Sequence, residues 1–291
     1  MPYTTFASLL EDAQQQQISL AHCVQVREAA DSDISTDEVR ARLAEALTVM
    51  REAVRQGSDP DTKSRTGLTG GDAARLFTSV NSPDAVNVVG PRLTHVLASS
   101  MATAELNAAM GRIVAAPTAG ASGILPGIFL TLAHDHDLDD DTLIDGLLVA
   151  GAIGACFAAQ ATLSGAAGGC QAEIGTAAAM TAAAVAYMLG NSAEAVGHAA
   201  AFAMQGQLGL VCDPVAGLVE VPCVARNATG AAVALAGAQM ALAGLQFPIP
   251  FDEVVDAASR VGAAIPPSLR ETAKGGLAIT PTAKQITKSL S

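Results

Sequence analysis

The sequence predicts a mainly α protein: a compact all-helical domain with glycine-rich functional loops between helices. Three observations lead there. Long segments are rich in alanine, the strongest helix former. No proline interrupts the chain between Pro126 and Pro214, which permits several helices in succession. Strand signals are weak, because β-branched residues are scattered and strict alternation is rare. The 291 residues are half hydrophobic, with 27 glycines, no tryptophan and 3% aromatic residues. A core of such small side chains requires backbones that approach closely, as in tightly packed helices or a membrane bundle.

Taken in order, Phe6, Leu9 and Leu10 share a helical face ahead of a polar patch at 11–17. Ser35-Thr36-Asp37-Glu38 reads as a helix start. Val39, Leu43, Ala46, Leu47 and Met50 then recur at helical spacing toward an end near Gln56-Gly57. Gly57-Ser58-Asp59-Pro60 is a turn, and Thr66-Gly67-Leu68-Thr69-Gly70-Gly71-Asp72 is a polar, glycine-rich loop, with Asp72 the expected N-cap of the next helix. Residues 91–110 are again helical by pattern. A second Gly/Pro-rich segment spans 116–127, and Ala-rich helices are expected near 142–162, 171–189, 193–208 and 227–245. Neither a linker nor an internal repeat divides the chain. One domain over residues 1–291 is expected, with an N-terminal helical segment at 1–57 and a core at 58–291 that carries the chemistry.

The positive mean hydropathy raises the question of membrane spans. However, Gln160, Gln171, Glu173, His198, Gln205, Gln207 and Gln239 interrupt the apolar runs, and the loops lack the Lys/Arg flanks that set topology. Buried helices of a soluble protein, and no membrane, are the expectation. Residues 1–10 carry no basic n-region and no long apolar run, so no signal peptide is expected. That points to the cytoplasm, where the five cysteines would be reduced thiols or metal ligands. The net charge of −12 argues against nucleic acid as a partner but leaves room for a small anionic substrate at a locally positive site.

Cys170, Cys212 and Cys223 each adjoin a Gly or Pro, in Gly168-Gly169-Cys170-Gln171, Cys212-Asp213-Pro214 and Val221-Pro222-Cys223. These are element ends, where backbone can bend around a bulky inorganic group. Cys23 and Cys156 lie inside apolar helical stretches and read as small buried hydrophobes; each of the other three, taken singly, admits the same reading. No C-x-x-C occurs, which argues against a ferredoxin-like cluster or zinc ribbon. Three thiolates on a cubane cluster would leave one iron without a protein ligand, open to act as a Lewis acid. The acidic run at 134–141 lacks the glycine turn and terminal Glu of a calcium loop and reads as a solvated loop capping the next helix near Asp141. Lys63-Ser64-Arg65 is similar to the lysine setting of pyridoxal-phosphate dehydratases, but the α/β scaffold and phosphate loop those enzymes need are not seen.

Several strings resemble the signature segments of iron–sulfur-dependent L-serine dehydratase α chains, in family order from about residue 35 to 282. They are Pro117-Thr118-Ala119-Gly120-Ala121-Ser122-Gly123, the stretch from Gly165 to Glu173 that contains Cys170, and the fourteen residues from Leu210 to Cys223. Thr66-Gly67-Leu68-Thr69-Gly70-Gly71-Asp72-Ala73, Asn107-Ala108-Ala109-Met110-Gly111, Ile249-Pro250-Phe251-Asp252-Glu253-Val254 and Leu269-Arg270-Glu271-Thr272 belong with them.

The resemblance implies that Cys170, Cys212 and Cys223 ligate a [4Fe-4S] cluster. Its open iron would bind the hydroxyl of L-serine while a base removes the α-proton, giving aminoacrylate and then pyruvate and ammonia. The glycine-rich loops would cradle the substrate, with Ser64, Thr66, Gly67, Asn107, Thr118 and Gly120 as candidate contacts. Arg226 could bind a carboxylate or the cluster, or form a structural ion pair.

The family's Ser-Ser-His-Thr motif is missing, and His22, His95, His134, His136 and His198 match no family base motif. The catalytic base is therefore expected on a separate β subunit, and this chain alone is expected to have little or no activity. No cysteine follows Cys223, so no C-terminal thiolate is expected as a fourth ligand. The alternatives are a related cysteine desulfidase or other amino-acid lyase, and a non-catalytic iron–sulfur scaffold homologue.

Overall fold

Helices and 3-10 turns, with no strand, make up the regular structure among the described residues of the computed structural model, which are 3–80, 82, 84–190 and 192–290. Met1 and Pro2, part of the stretch read for a leader, lie outside them. The helices are α1 (Phe6–Gln16), α2 (Leu20–Ser32), α3 (Thr36–Gly57), α4 (Asp72–Val80), α5 (Gly90–Ala108), α6 (Ile124–His136) and α7 (Asp140–Gln160). They continue with the single turn α8 (Gly165–Gly168), then α9 (Ile174–Leu189), α10 (Ala193–Gln205), α11 (Cys223–Leu242), α12 (Phe251–Ala264) and α13 (Pro281–Leu290). The mainly α expectation holds, and the three candidate cysteines and both glycine-rich segments sit at helix ends or between helices.

α9 is the central helix. Every residue from Ile174 to Ala186 is buried, and α6, α7, α10 and α11 pack around it. A helix that is apolar on all sides must be enclosed, and alanine lets its neighbours approach. α3 and α5 cross at Gly57, where a Cβ would collide with the Ala102 carbonyl. α10 and α11 meet at Gly237, where a Cβ would lie 2.9 Å from both Ala199 O and Ala203 N. Three phenylalanines meet at the α1–α7–α12 corner, where Phe251 packs edge-on to Phe6 and Phe157.

Two segments, Asp140–Gln160 and Cys170–Leu189, are long and apolar enough to cross a membrane by length and composition; 67% and 78% of their apolar windows are buried inside the protein. Their apolar surface is satisfied by neighbouring helices.

The caps explain most element boundaries. Ser35 caps α3, its hydroxyl accepting from Glu38 N at 3.1 Å, and the helix ends at Gly57 as its pattern predicts. Two expected caps move. Asp139, not Asp141, caps α7, accepting from Thr142 N at 2.8 Å. Asp72 is the first residue of α4, and the acceptor there is the fully buried Glu105 of α5, which takes N–H bonds from Gly71 and Asp72 at 3.0 Å each. A carboxylate reaching in from a packed helix satisfies the same orphan donors as a local cap. The helix expected from 171 starts at Ile174 after a 3-10 turn at Cys170–Ala172. The helix expected near 227 begins at Cys223.

Candidate functional site

The three candidate cysteines come from three elements that meet beside the N-terminal ends of α9 and α11. Cys170 opens the 3-10 turn before α9. Gly169 precedes it at φ 75° and ψ 179°, a conformation that favours glycine. A side chain there would also lie 2.8 Å from the Leu210 carbonyl, the same carbonyl that accepts from Gln171 N at 3.0 Å. Gln171 is buried and completes the join: its amide donates to Ala258 O at 2.7 Å and accepts from Gly209 N at 2.8 Å. Segment 209–212 is thereby held against the Cys170 turn.

Cys212 bridges to the C-terminal region in an isolated parallel pairing with Arg270. Cys212 N donates to Leu269 O at 2.9 Å, and Glu271 N donates to Cys212 O at 2.7 Å. Cys223 is the first residue of α11. Cys23 and Cys156 are buried within α2 and α7, away from this junction.

The thiols interact. A hydrogen bond from the Cys212 thiol lowers the pKa of Cys170, with the Arg226 guanidinium also favouring its thiolate. The same bond holds the Cys212 proton in place and raises its pKa. Burial pushes Cys223 up to about 12. Arg226 lies one turn into α11, pairs with the buried Asp213 at 2.8 Å and donates to Val211 O at 2.9 Å. It thus makes the structural ion pair while also serving Cys170. Among the described residues, no three His, Cys, Asp or Glu side chains are gathered closely enough for a single metal ion.

The first glycine-rich loop is tied to the cysteine segment through Glu220, which is buried. Thr66 Oγ1 donates to the Glu220 carboxylate with both oxygens at 2.9 Å, and Thr69 Oγ1 donates to Oε2 at 3.0 Å. The Ser64 and Thr66 hydroxyls are 3.2 Å apart, and Gly67 N closes the turn onto Ser64 O at 3.0 Å. The second loop is tied to α11 through the fully buried Asn227. Its amide accepts from Gly123 N at 2.8 Å and donates to Gly120 O at 2.8 Å and Cys223 O at 2.9 Å.

Thr118 Oγ1 is buried without a hydrogen-bond partner. Asn107 stands half-buried at the end of α5, and among the described residues its side chain makes no hydrogen bond to the other candidates. The structure therefore brings Ser64, Thr66, Gly67, Thr118 and Gly120 to the cysteine segments through two buried polar residues, and leaves Asn107 unconnected to them.

Sequence reasoning passed over Glu105, Glu173, Glu220 and Asn227. Their signal was a polar residue inside an apolar or Ala-rich run, the pattern in which a buried group must find partners.

A family model described as serine dehydratase alpha chain matches residues 8–278. The chain is 43% identical over 282 residues to the probable L-serine dehydratase, alpha chain, of Bacillus subtilis (strain 168), covering 97% of this chain and 93% of that one. It is 39% identical over 282 residues to the L-serine dehydratase, alpha chain, of Peptoniphilus asaccharolyticus, covering 97% and 96%. Against the L-serine dehydratase of Streptomyces coelicolor (strain ATCC BAA-471 / A3(2) / M145) the identity is 37% over 284 residues, 96% of this chain but 61% of that protein. The chain belongs to the serine dehydratase alpha chain family.

Proposed function

We propose that this protein is the α chain of an iron–sulfur L-serine dehydratase, a lyase of the cytoplasm that eliminates water from L-serine to give pyruvate and ammonia. Family membership supports the reaction. The observation that carries the site is the meeting of three thiols from three elements beside two glycine-rich loops, each loop fastened to them by a buried polar side chain.

Cys170, Cys212 and Cys223 would hold the [4Fe-4S] cluster. Their setting suits it: Arg226 offers positive charge to a thiolate-bound group, and glycines line the junction at 165, 168 and 169. When bound, the cluster supplies Lewis acidity at the iron that lacks a protein ligand.

The chain's own residues bind and orient. The backbone N–H groups of the loops at 64–71 and 118–123 favour a carboxylate, and Glu220 and Asn227 fix both loops relative to the cysteines. The base that takes the α-proton is assigned to a partner β chain. Residues 1–291 act as one domain, with 1–57 packing as a helical segment against the core.

Anaerobic co-expression with a β chain tests the reading. Iron and sulfide should appear at about four each per α chain, as the cubane demands, and pyruvate should form from L-serine. Cys170→Ser, Cys212→Ser and Cys223→Ser should each lose iron and activity together. Full activity in any of the three would sink the cluster assignment, and preference for L-cysteine over L-serine would favour the desulfidase reading.

A further inference from the structure

The candidate substrate contacts on the glycine-rich loops, Ser64, Thr66, Gly67, Asn107, Thr118 and Gly120, are all neutral. They offer hydroxyls, an amide and backbone N–H groups, which suit a carboxylate. An amino acid also carries an α-ammonium group, and none of these residues presents an anion to it.

Glu173 does. It stands between Cys170 and α9, and its carboxyl lies beside two glycines, Gly120 and Gly165. Oε1 is 3.5 Å from where a Cβ would stand on Gly120, and Oε2 is 2.6 Å from where one would stand on Gly165, a point also 3.2 Å from Cys212 Sγ. The side chain is half-buried, desolvation raises its pKa, and the nearby Thr118 hydroxyl opposes that rise. Thr118 Oγ1 makes no hydrogen bond to any other group. Among the described residues Glu173 makes no salt bridge, although twelve of the sixteen Lys and Arg residues are arginines placed mostly in surface pairs. A partly desolvated carboxyl with no cation is an arrangement that an incoming cation completes, because removing a charge from water is costly unless it is paired.

We propose that Glu173, with Thr118 beside it, is the subsite for the α-ammonium group of the amino-acid substrate. The inference rests on the dehydratase reading for the nature of the substrate, and on the geometry around Gly120, Gly165 and Cys212 for its place. It makes Glu173 a specificity residue: it distinguishes an amino acid from the corresponding hydroxy acid without the amine.

The test compares the wild-type holoenzyme, α chain with β chain and loaded with iron, with its Glu173→Gln variant. The amide keeps the shape and removes the charge. Two ligands are used, L-serine and 3-hydroxypropanoate, which is serine without its amino group. In the wild type L-serine should bind the more tightly. In the variant its KM should rise roughly ten- to hundredfold, the loss of one charge-assisted hydrogen bond, while the inhibition constant of 3-hydroxypropanoate and the iron content stay unchanged.

An equal loss for both ligands, an unchanged KM, or loss of iron would each overturn the subsite; the last would make Glu173 a support of the metal centre instead. Should the wild type form no pyruvate, the dehydratase reading fails. Direct binding of the same two ligands then decides the subsite by itself: no preference for the amine-bearing ligand, or a preference that survives Glu173→Gln, would overturn it.

Discussion

Glu105 has no solvent-exposed surface, yet its carboxyl carries the N-terminus of α4 and the end of the first glycine-rich loop. Burial raises its pKa, and the N–H bonds from Asp72, Ala73 and Gly71 only partly offset the cost. The unfolded chain therefore releases this proton at lower pH than the folded one. Stability falls as pH rises from the ordinary glutamate range through the raised folded value. Glu105→Gln should flatten that slope, and denaturant midpoints measured across the window will show it; an unchanged slope would mean the carboxyl titrates normally. Glu220 belongs to the same class of residue. By taking the Thr66 and Thr69 hydroxyls it sets the loop's position relative to the cysteines. Hydrogen bonds that reach 33 and 34 residues from Glu105 and 151 and 154 residues from Glu220 leave no mark in local spacing, which is why the partners of neither glutamate were legible beforehand.

At the scale of elements, the fold is governed by how close helices can come. Gly237 of α11 faces backbone of α10, so Gly237→Ala must move one helix; overpacking of that kind costs about 1–3 kcal/mol, against a propensity gain of about 1 kcal/mol. Gly151, exposed on α7 with nothing within 4 Å of its would-be Cβ, has only the gain. Gly237→Ala should lower the denaturant midpoint and Gly151→Ala raise it. A stabilised Gly237→Ala would refute the close crossing. These helices were readable in advance because alanine runs and the absence of proline are local properties. Their exact starts were not, since the caps at α4 and α7 and the Cys170 turn depend on partners elsewhere. The C-terminal elements show the same division. The 3-10 turn at Gly276–Ile279 and α13 pack against the turn at Val215–Gly217, and Asp213 accepts from Leu277 N at 2.7 Å, so the end of the chain braces the segment between two cysteines.

For the whole molecule, the relatives frame the question of the partner. The chain matches the separate alpha chains nearly end to end but only 61% of the Streptomyces coelicolor L-serine dehydratase. The longer relative holds sequence that these residues do not match. On the reading that the base belongs to a β chain, the chain purified alone and loaded with iron should give little or no pyruvate from L-serine, and adding a β chain should restore turnover. Comparable rates with and without that partner would place the base within this chain.

Some of this was fixed by sequence alone: an α fold with a small-residue core, the three cysteines at element ends, the two glycine-rich loops and the family they belong to. Those features are local, written in composition and in contiguous strings. Tertiary structure decided that Thr66 is turned to Glu220, that Arg226 pairs with Asp213 beside Cys170, that Glu105 caps a helix it does not belong to, and that Glu173 faces two bare glycines beside Cys212. The physical reason is burial. A polar group removed from water must find its partner wherever the packing brings one, and that partner is set by how helices meet in space.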